Sequence, residues 1–148
     1  ENNIVLYFTN FTRNSSDVLE EQVKKMKDNN TTSLLSLHAL VEQAKLIKDC
    51  LIRGNIDELG EILDYGFQQK KLLAKGISTP EIELLYKTAL KAGATGGKIS
   101  GAGGGGFMFF YCPNNTKYDV IKALDKLKMG YHQPFTWNKF GMRTWQIG

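Results

Sequence analysis

Lys98-Ile99-Ser100-Gly101-Ala102-Gly103-Gly104-Gly105-Gly106-Phe107 is the stretch on which the fold turns. With Gly96 and Gly97 just before it, seven glycines fall within eleven residues. A glycine loses more chain freedom on ordering than alanine does, roughly 0.5–1 kcal/mol each. The run therefore costs about 3–7 kcal/mol at the upper end, comparable with the ~5–15 kcal/mol that holds a typical domain. A hairpin turn needs only one or two glycines. A run this dense points to a backbone that takes positive φ repeatedly, or to another backbone or a ligand pressing close. Successive N–H groups in such a loop can form an anion-binding nest. The plainer alternative is a tight strand-to-strand crossing packed against a neighbour.

The residues that follow decide between motifs. Phe107-Met108-Phe109-Phe110-Tyr111-Cys112 is apolar at both alternating sets of positions, which predicts a strand covered on both faces. Lys98-Ile99-Ser100 reads as a short strand on the other side of the glycines. Gly101 to Gly106 matches G-x-G-x-x-G letter for letter, but the dinucleotide fingerprint needs a helix straight after it. The protein-kinase glycine loop lies between strands, yet the H-R-D and D-F-G signatures are absent. The P-loop pattern fails because Ile99 follows Gly97-Lys98 and Ala92 stands where the first glycine belongs.

Outward from the loop, the chain alternates clear helix and strand signals. Ile4 to Thr9 is β-branched and aromatic, a central strand. Asn14-Ser15-Ser16-Asp17 opens a helix that runs to about Lys27, and Asn29 to Ser33 reads as a polar break. From Leu34, the apolar positions Leu37, Leu40, Val41, Ala44, Ile47 and Leu51 make an amphipathic helix ending at Arg53-Gly54. Asn55 and Glu58 stand in capping-box positions for a helix that Gly76 closes. Thr79-Pro80 starts another, whose stripe is Ile82, Leu85, Tyr86 and Ala89. Beyond the glycines, Thr116 with Asp119 caps a last helix, and strand pieces at Phe135–Trp137 and Met142–Ile147 finish the chain. Helices bunched between antiparallel strands predict an α+β fold: a ferredoxin-like antiparallel sheet with several extra helices.

At 148 residues and 42% hydrophobic content, the chain is long enough for one ordinary domain. No leader pattern precedes the first strand, and the longest apolar run is too short to span a bilayer, so no membrane association is expected. Cys50 and Cys112 lie far apart without metal-ligand spacing and read as reduced thiols of a cytoplasmic protein. Net charge is +4, spread over lysines that fall mostly on polar helix faces. His38 and His132 have no Cys or His at ligand spacing, so no metal is assigned to them.

Lys98-Ile99-Ser100-Gly101-Ala102-Gly103-Gly104-Gly105-Gly106 resembles the third motif of the GHMP kinases, close to K-x-[ST]-G-A-G-G-G-G, and the flanking helix, loop and strand are similar too. Phe67-Gln68-Gln69-Lys70-Lys71-Leu72-Leu73 and Gly76-Ile77-Ser78-Thr79-Pro80-Glu81-Ile82 resemble the branch that contains D-glycero-D-manno-heptose 7-phosphate kinases and fucokinases. The resemblance implies that residues 1–148 form the C-terminal domain of an ATP- and Mg²⁺-dependent sugar-phosphate kinase of heptose metabolism. It also implies a partner, the N-terminal kinase domain, which holds most of the ATP site and the catalytic residues. The phosphate loop of that half, roughly P-x-x-x-G-L-G-S-S-A, has no counterpart in this sequence. The chain alone is therefore expected to be inactive, with no catalytic residue of its own.

Carried over, Ser100, Gly101, Ala102, Gly103 and Gly104 border the phosphates or the acceptor through backbone N–H groups. Lys98 adds positive charge there or points to solvent. Arg13 at the end of the first strand, and Lys70 and Lys71 in the Phe67–Leu73 stretch, are candidates for a substrate phosphate, each weighed against a plain surface role. The competing classes are an RNA-binding ferredoxin-like module and a non-catalytic anion-binding regulatory domain. The aromatic strand after the glycines invites the RNA reading. An apolar strand on both faces buries its rings, however, and no arginine cluster accompanies it, so no nucleic-acid partner is expected.

Overall fold

The computed structural model of the chain describes residues 1–11, 15–142, 144 and 145. Its elements are β1 (Ile4–Thr9), α1 (Ser15–Lys27), α2 (Thr31–Arg53), a 3-10 turn (Ile56–Glu58), α3 (Leu59–Lys71), α4 (Pro80–Lys91), β2 (Gly96–Ile99), β3 (Gly106–Tyr111), α5 (Lys117–Asp125) and β4 (Gly130–His132). The strands form one sheet in the order β2-β3-β1-β4, with every neighbouring pair antiparallel. This is the β-α-β-β-α-β ferredoxin-like topology, with four helices in place of one in the first crossover. The fold is α+β, as the sequence pattern predicts.

Alternation along β1 and β3 separates the two faces of the sheet. Val5 pairs with Phe110 and Tyr7 with Met108, and all four are fully buried, with Ile99 of β2 beside them. Helices α4 and α5 cover this face with Ile82, Leu85, Ala89, Val120 and Leu124. Each such side chain contributes about 1.5–3 kcal/mol of burial, so this layer holds the domain together. The phenol of Tyr7 donates to the Leu124 carbonyl at 3.2 Å, satisfying the one polar atom it brings into the core.

The second face is covered only in part. Ile4 and Tyr111 are buried under Cys50, Leu59 and Leu63 of α2 and α3. At the other end of the strands, Phe8, Phe107 and Tyr131 pack ring to ring at 5.0 and 5.3 Å, and Tyr131 is 49% exposed. Phe107 and Phe109 are half-buried, so β3 is sealed on one face and only partly on the other, contrary to the expectation of full cover. On this face the buried cover over Ile4 and Tyr111 comes from α2 and α3, while α4 of the same crossover lies on the opposite face.

Several boundaries differ from the sequence reading for identifiable reasons. Helix α2 begins at Thr31, because the Asn30 side chain accepts from the Ser33 N–H at 3.0 Å and caps it. Asn55 makes no side-chain cap bond, and a 3-10 turn precedes α3, which ends at Lys71 well before Gly76. Thr116 stands before α5 but turns its hydroxyl away, its single proton shared between the carbonyls of Pro113 at 2.7 Å and Gly93 at 3.0 Å. The last strand of the sheet is Gly130–His132; Phe135–Trp137 lies outside any strand, and part of Met142–Ile147 lies outside the described residues. Thr79 does cap α4, accepting from the Ile82 N–H at 3.3 Å with Pro80 next to it. Cys50 and Cys112 are free and buried, and among the described residues no helix is long and apolar enough to cross a membrane.

Candidate functional site

The glycine loop joins edge strand β2 to central strand β3, and every glycine from Gly101 to Gly106 has positive φ, between +73° and +156°. Its ends are tied to the sheet: the Ser100 N–H donates to the Phe107 carbonyl at 2.8 Å, and the Thr9 hydroxyl donates to the Gly106 carbonyl at 2.9 Å. Its middle rests on the α3–α4 connection. The Gly104 N–H donates to the Ile77 carbonyl at 2.9 Å, and a Cβ on Gly103 would lie 2.8 Å from the Ile77 Cα. Close approach to another backbone and repeated positive φ, the two causes inferred for such a run, thus act on the same loop.

Of the five loop residues expected to present N–H groups, Ser100 and Gly104 use theirs inside the fold. Gly101, Ala102 and Gly103 donate to no acceptor among the described residues. Beside them stand two of the lysines singled out from sequence. Lys70, in the last turn of α3, donates from its ammonium to the Gly101 carbonyl. Lys98 lies on β2, two residues before the loop begins. Burial and the nearby Lys98 charge pull the Lys70 pKa down to about 8, and burial lowers that of Lys98. Neither lysine forms an ion pair with a carboxylate among the described residues. Arg13, another basic candidate, lies outside the described residues.

Lys71, the other lysine of α3 put forward from sequence, is engaged within the fold. Lys71 pairs with Glu83 of α4 at 2.9 Å, and the Ser78 hydroxyl donates to the same carboxylate oxygen at 2.7 Å. Burial raises the Glu83 pKa, but these two hydrogen bonds and the Lys71 charge outweigh it, so the carboxyl sits below its ordinary range. This network was not legible as a site; it fixes the connection on which the glycine loop rests. Replacing Glu83 with Ala is expected to cost about 1–2 kcal/mol, since it strands the Ser78 hydroxyl and the Lys71 ammonium. It should also speed amide exchange at Gly104, whose N–H depends on Ile77 staying in place. Unchanged exchange at Gly104 would show that the connection holds without Glu83.

A sizeable concavity lies elsewhere. It is a groove of ≈ 630 Å³ toward the far end of β3, lined by Ile4, Leu59, Leu63, Phe109, Tyr111 and Trp137 among others. Its apolar lining does not match an anionic or sugar ligand. Among the described residues no group of three or more His, Cys, Asp or Glu side chains could hold a metal ion.

The family model described as GHMP kinases C terminal matches residues 46–131. The chain belongs to the GHMP kinase family. The matched range takes in the lysines, the α3–α4 connection and the glycine loop. Over 143 residues the chain is 43% identical to the D-glycero-alpha-D-manno-heptose 7-phosphate kinase of Campylobacter jejuni, covering 97% of this chain and 41% of that protein. A solved structure of a C. jejuni protein assigned as a sugar kinase superposes with a TM-score of 0.63 at 39% identity, covering 98% of this chain and 39% of that one. A Listeria innocua protein shares the fold at a TM-score of 0.80 and 19% identity, over 90% of this chain and 38% of that one. This GHMP kinase chain thus spans about two fifths of the length of these two C. jejuni relatives.

Proposed function

We propose that residues 1–148 are the C-terminal domain of an ATP-dependent sugar-phosphate kinase acting on D-glycero-D-manno-heptose 7-phosphate in the cytoplasm. The observation that carries the reading is the 43% identity to the C. jejuni heptose 7-phosphate kinase along nearly the whole chain, glycine loop included. The family match begins at residue 46, but β1 lies between β3 and β4 in the centre of the sheet. That placement supports one domain running from the first residues onward.

In this reading the loop Ser100–Gly104 lines the cleft in which a phosphoryl group passes from ATP to the acceptor hydroxyl. Catalysis of such transfers is largely positioning and charge stabilisation. This chain's share is a preformed loop whose Gly101, Ala102 and Gly103 N–H groups meet no acceptor among the described residues, with positive charge beside them. The partner is the N-terminal kinase domain of the same protein, which supplies most of the ATP site and the catalytic side chains. Bound ATP would supply the phosphoryl group. In this reading Mg²⁺ is held mainly by the N-terminal domain and the nucleotide phosphates, and no step is assigned to a metal on this chain.

The test joins the chain to the coding region upstream of it and follows ATP consumption against a panel of sugar phosphates. Turnover with heptose 7-phosphate, and none by the isolated chain, is the expected result. Turnover by the isolated chain, or a folded joined protein that ignores every sugar phosphate, would overturn the assignment.

A further inference from the structure

We propose that helix α1 is a homodimer surface, packing antiparallel against α1 of a second copy of this chain. The contact joins the exposed stripe Leu19, Val23 and Met26 of each copy and sets Glu20 of one beside Lys27 of the other. It uses no residue of the glycine loop or of the α3–α4 connection, so it stands apart from the phosphoryl-transfer reading.

Helix α1 is mounted the opposite way from an ordinary surface helix, which buries its apolar stripe and turns its polar residues outward. Of its four apolar residues, Val18 alone joins the core, at 2% exposed. On the inward side the Glu21 carboxylate accepts the Lys75 N–H at 3.2 Å and pairs with Lys25 at 3.1 Å. Polar contacts thus seat the helix on the chain between α3 and α4. Leu19, Val23 and Met26 are left 49%, 47% and 44% exposed. Their spacing of four and then three is that of a coiled-coil seam, in which side chains of one helix enter holes on the other. Glu20, Val23, Lys24 and Lys27, with Leu19 and Asp28, border a concavity on this face. The first four are spaced i, i+3, i+4 and i+7, the outline of such a hole.

The charges beside the stripe select a second copy as the partner. Glu20 and Lys27 stand seven residues apart on one flank of it, and neither forms an ion pair within the chain among the described residues. Charges flanking a seam set partner choice and orientation. A two-fold axis near Val23 that sets two α1 helices antiparallel brings Glu20 of each against Lys27 of the other, twice by symmetry. A parallel pair would bring like charges level with each other. The acidic start and basic end of α1 also suit its own dipole. The dipole, however, gives no reason for three apolar side chains to stand in water between them. Thirteen residues make a short seam, so the dimer depends on concentration.

The experiment is analytical ultracentrifugation of the isolated chain and of the joined protein, from about 5 to about 500 μM. A reversible monomer–dimer equilibrium is expected in both. Val23→Asp, which sets a charge on the axis of the seam, should weaken it by more than about tenfold. Val23 is half-exposed, so the thermal midpoint of this variant should stay near that of the parent. Glu20→Lys and Lys27→Glu should each weaken self-association about tenfold, since each sets like charges together. Mixed in equal amounts, these two variants should regain the parent affinity, because every pair between them then joins opposite charges. A weakened helix could not produce that recovery. Protein that stays monomeric throughout the range overturns the proposal, as does a dimer that all three variants leave intact. A dimeric isolated chain beside a monomeric joined protein would show that the upstream domain covers the stripe, and overturns it too.

Discussion

Gly103→Val is expected to destabilise the chain by about 2–6 kcal/mol and to release the glycine loop from its support. Two costs add. Gly103 has φ +112°, a conformation that β-branched residues scarcely adopt, and forcing one there costs of order 1–3 kcal/mol. Its Cβ would also meet the Ile77 Cα at 2.8 Å and the Ile77 carbonyl oxygen at 3.0 Å. Those are backbone atoms of a fully buried residue, next to the Ser78–Glu83 bond, and overpacking against such a wall costs about 1–3 kcal/mol more. Gly101→Ala is the control: it has φ +73° with nothing within 4 Å of the new Cβ, so only the backbone cost of about 1 kcal/mol applies. Urea unfolding of both variants decides the point. Equal losses would mean that Ile77 does not back the loop.

Gly96→Val should be nearly as damaging, for a different reason. Its backbone angle is ordinary, but the added Cβ would lie 1.9 Å from the Gly60 carbonyl oxygen and 2.6 Å from its carbon. Helix α3 approaches β2 this closely only because both residues lack side chains at the contact. The variant must push α3 off the sheet, at about 3 kcal/mol. Lys70 lies ten residues further along the same helix, so the shift is carried to the glycine loop. The expected signature is a loss of stability together with a Lys70 pKa that moves away from about 8. A variant within 1 kcal/mol of the parent by denaturant titration, with Lys70 unmoved, would remove the close helix–strand contact from the account.

Much of this architecture was legible because local chemistry and tertiary structure agree. Thr79-Pro80 starts a helix by cap and fixed φ, and it does so in the fold. The strand after the glycines follows from its aromatic run, and with it the exclusion of a dinucleotide fingerprint. Other parts were hidden by competing signals. Thr31, Thr32 and Ser33 look like a break because their polar side chains favour turns, yet one bond from the Ser33 N–H to Asn30 carries them into α2. The aromatic Phe135–Trp137 has better strand propensity than Gly130-Tyr131-His132, but Gly130 permits a close approach to β1, where a Cβ would meet the Phe8 carbonyl oxygen at 2.0 Å. Register on the central strands outweighs propensity at the edge.

The site divides in the same way. The glycine run announces itself by composition alone. Lys70 became a candidate only through the resemblance of the Phe67–Leu73 stretch: by composition it is one of several lysines on a helix, and its contact with Gly101 spans thirty-one residues. The Glu83–Ser78–Lys71 network and the seat of Gly103 on Ile77 are long-range packing facts with no local pattern to reveal them. What sequence did offer was that two separate stretches, Phe67–Leu73 and Gly76–Ile82, share the resemblance carried by the loop. The fold brings both of them against it.

The most direct test of the central claim is amide hydrogen exchange on the joined protein, with and without a non-hydrolysable ATP analogue and heptose 7-phosphate. The account predicts slowed exchange at Gly101, Ala102 and Gly103 when both ligands are bound. Protection elsewhere in the protein, with those three amides exchanging as fast as before, would contradict it.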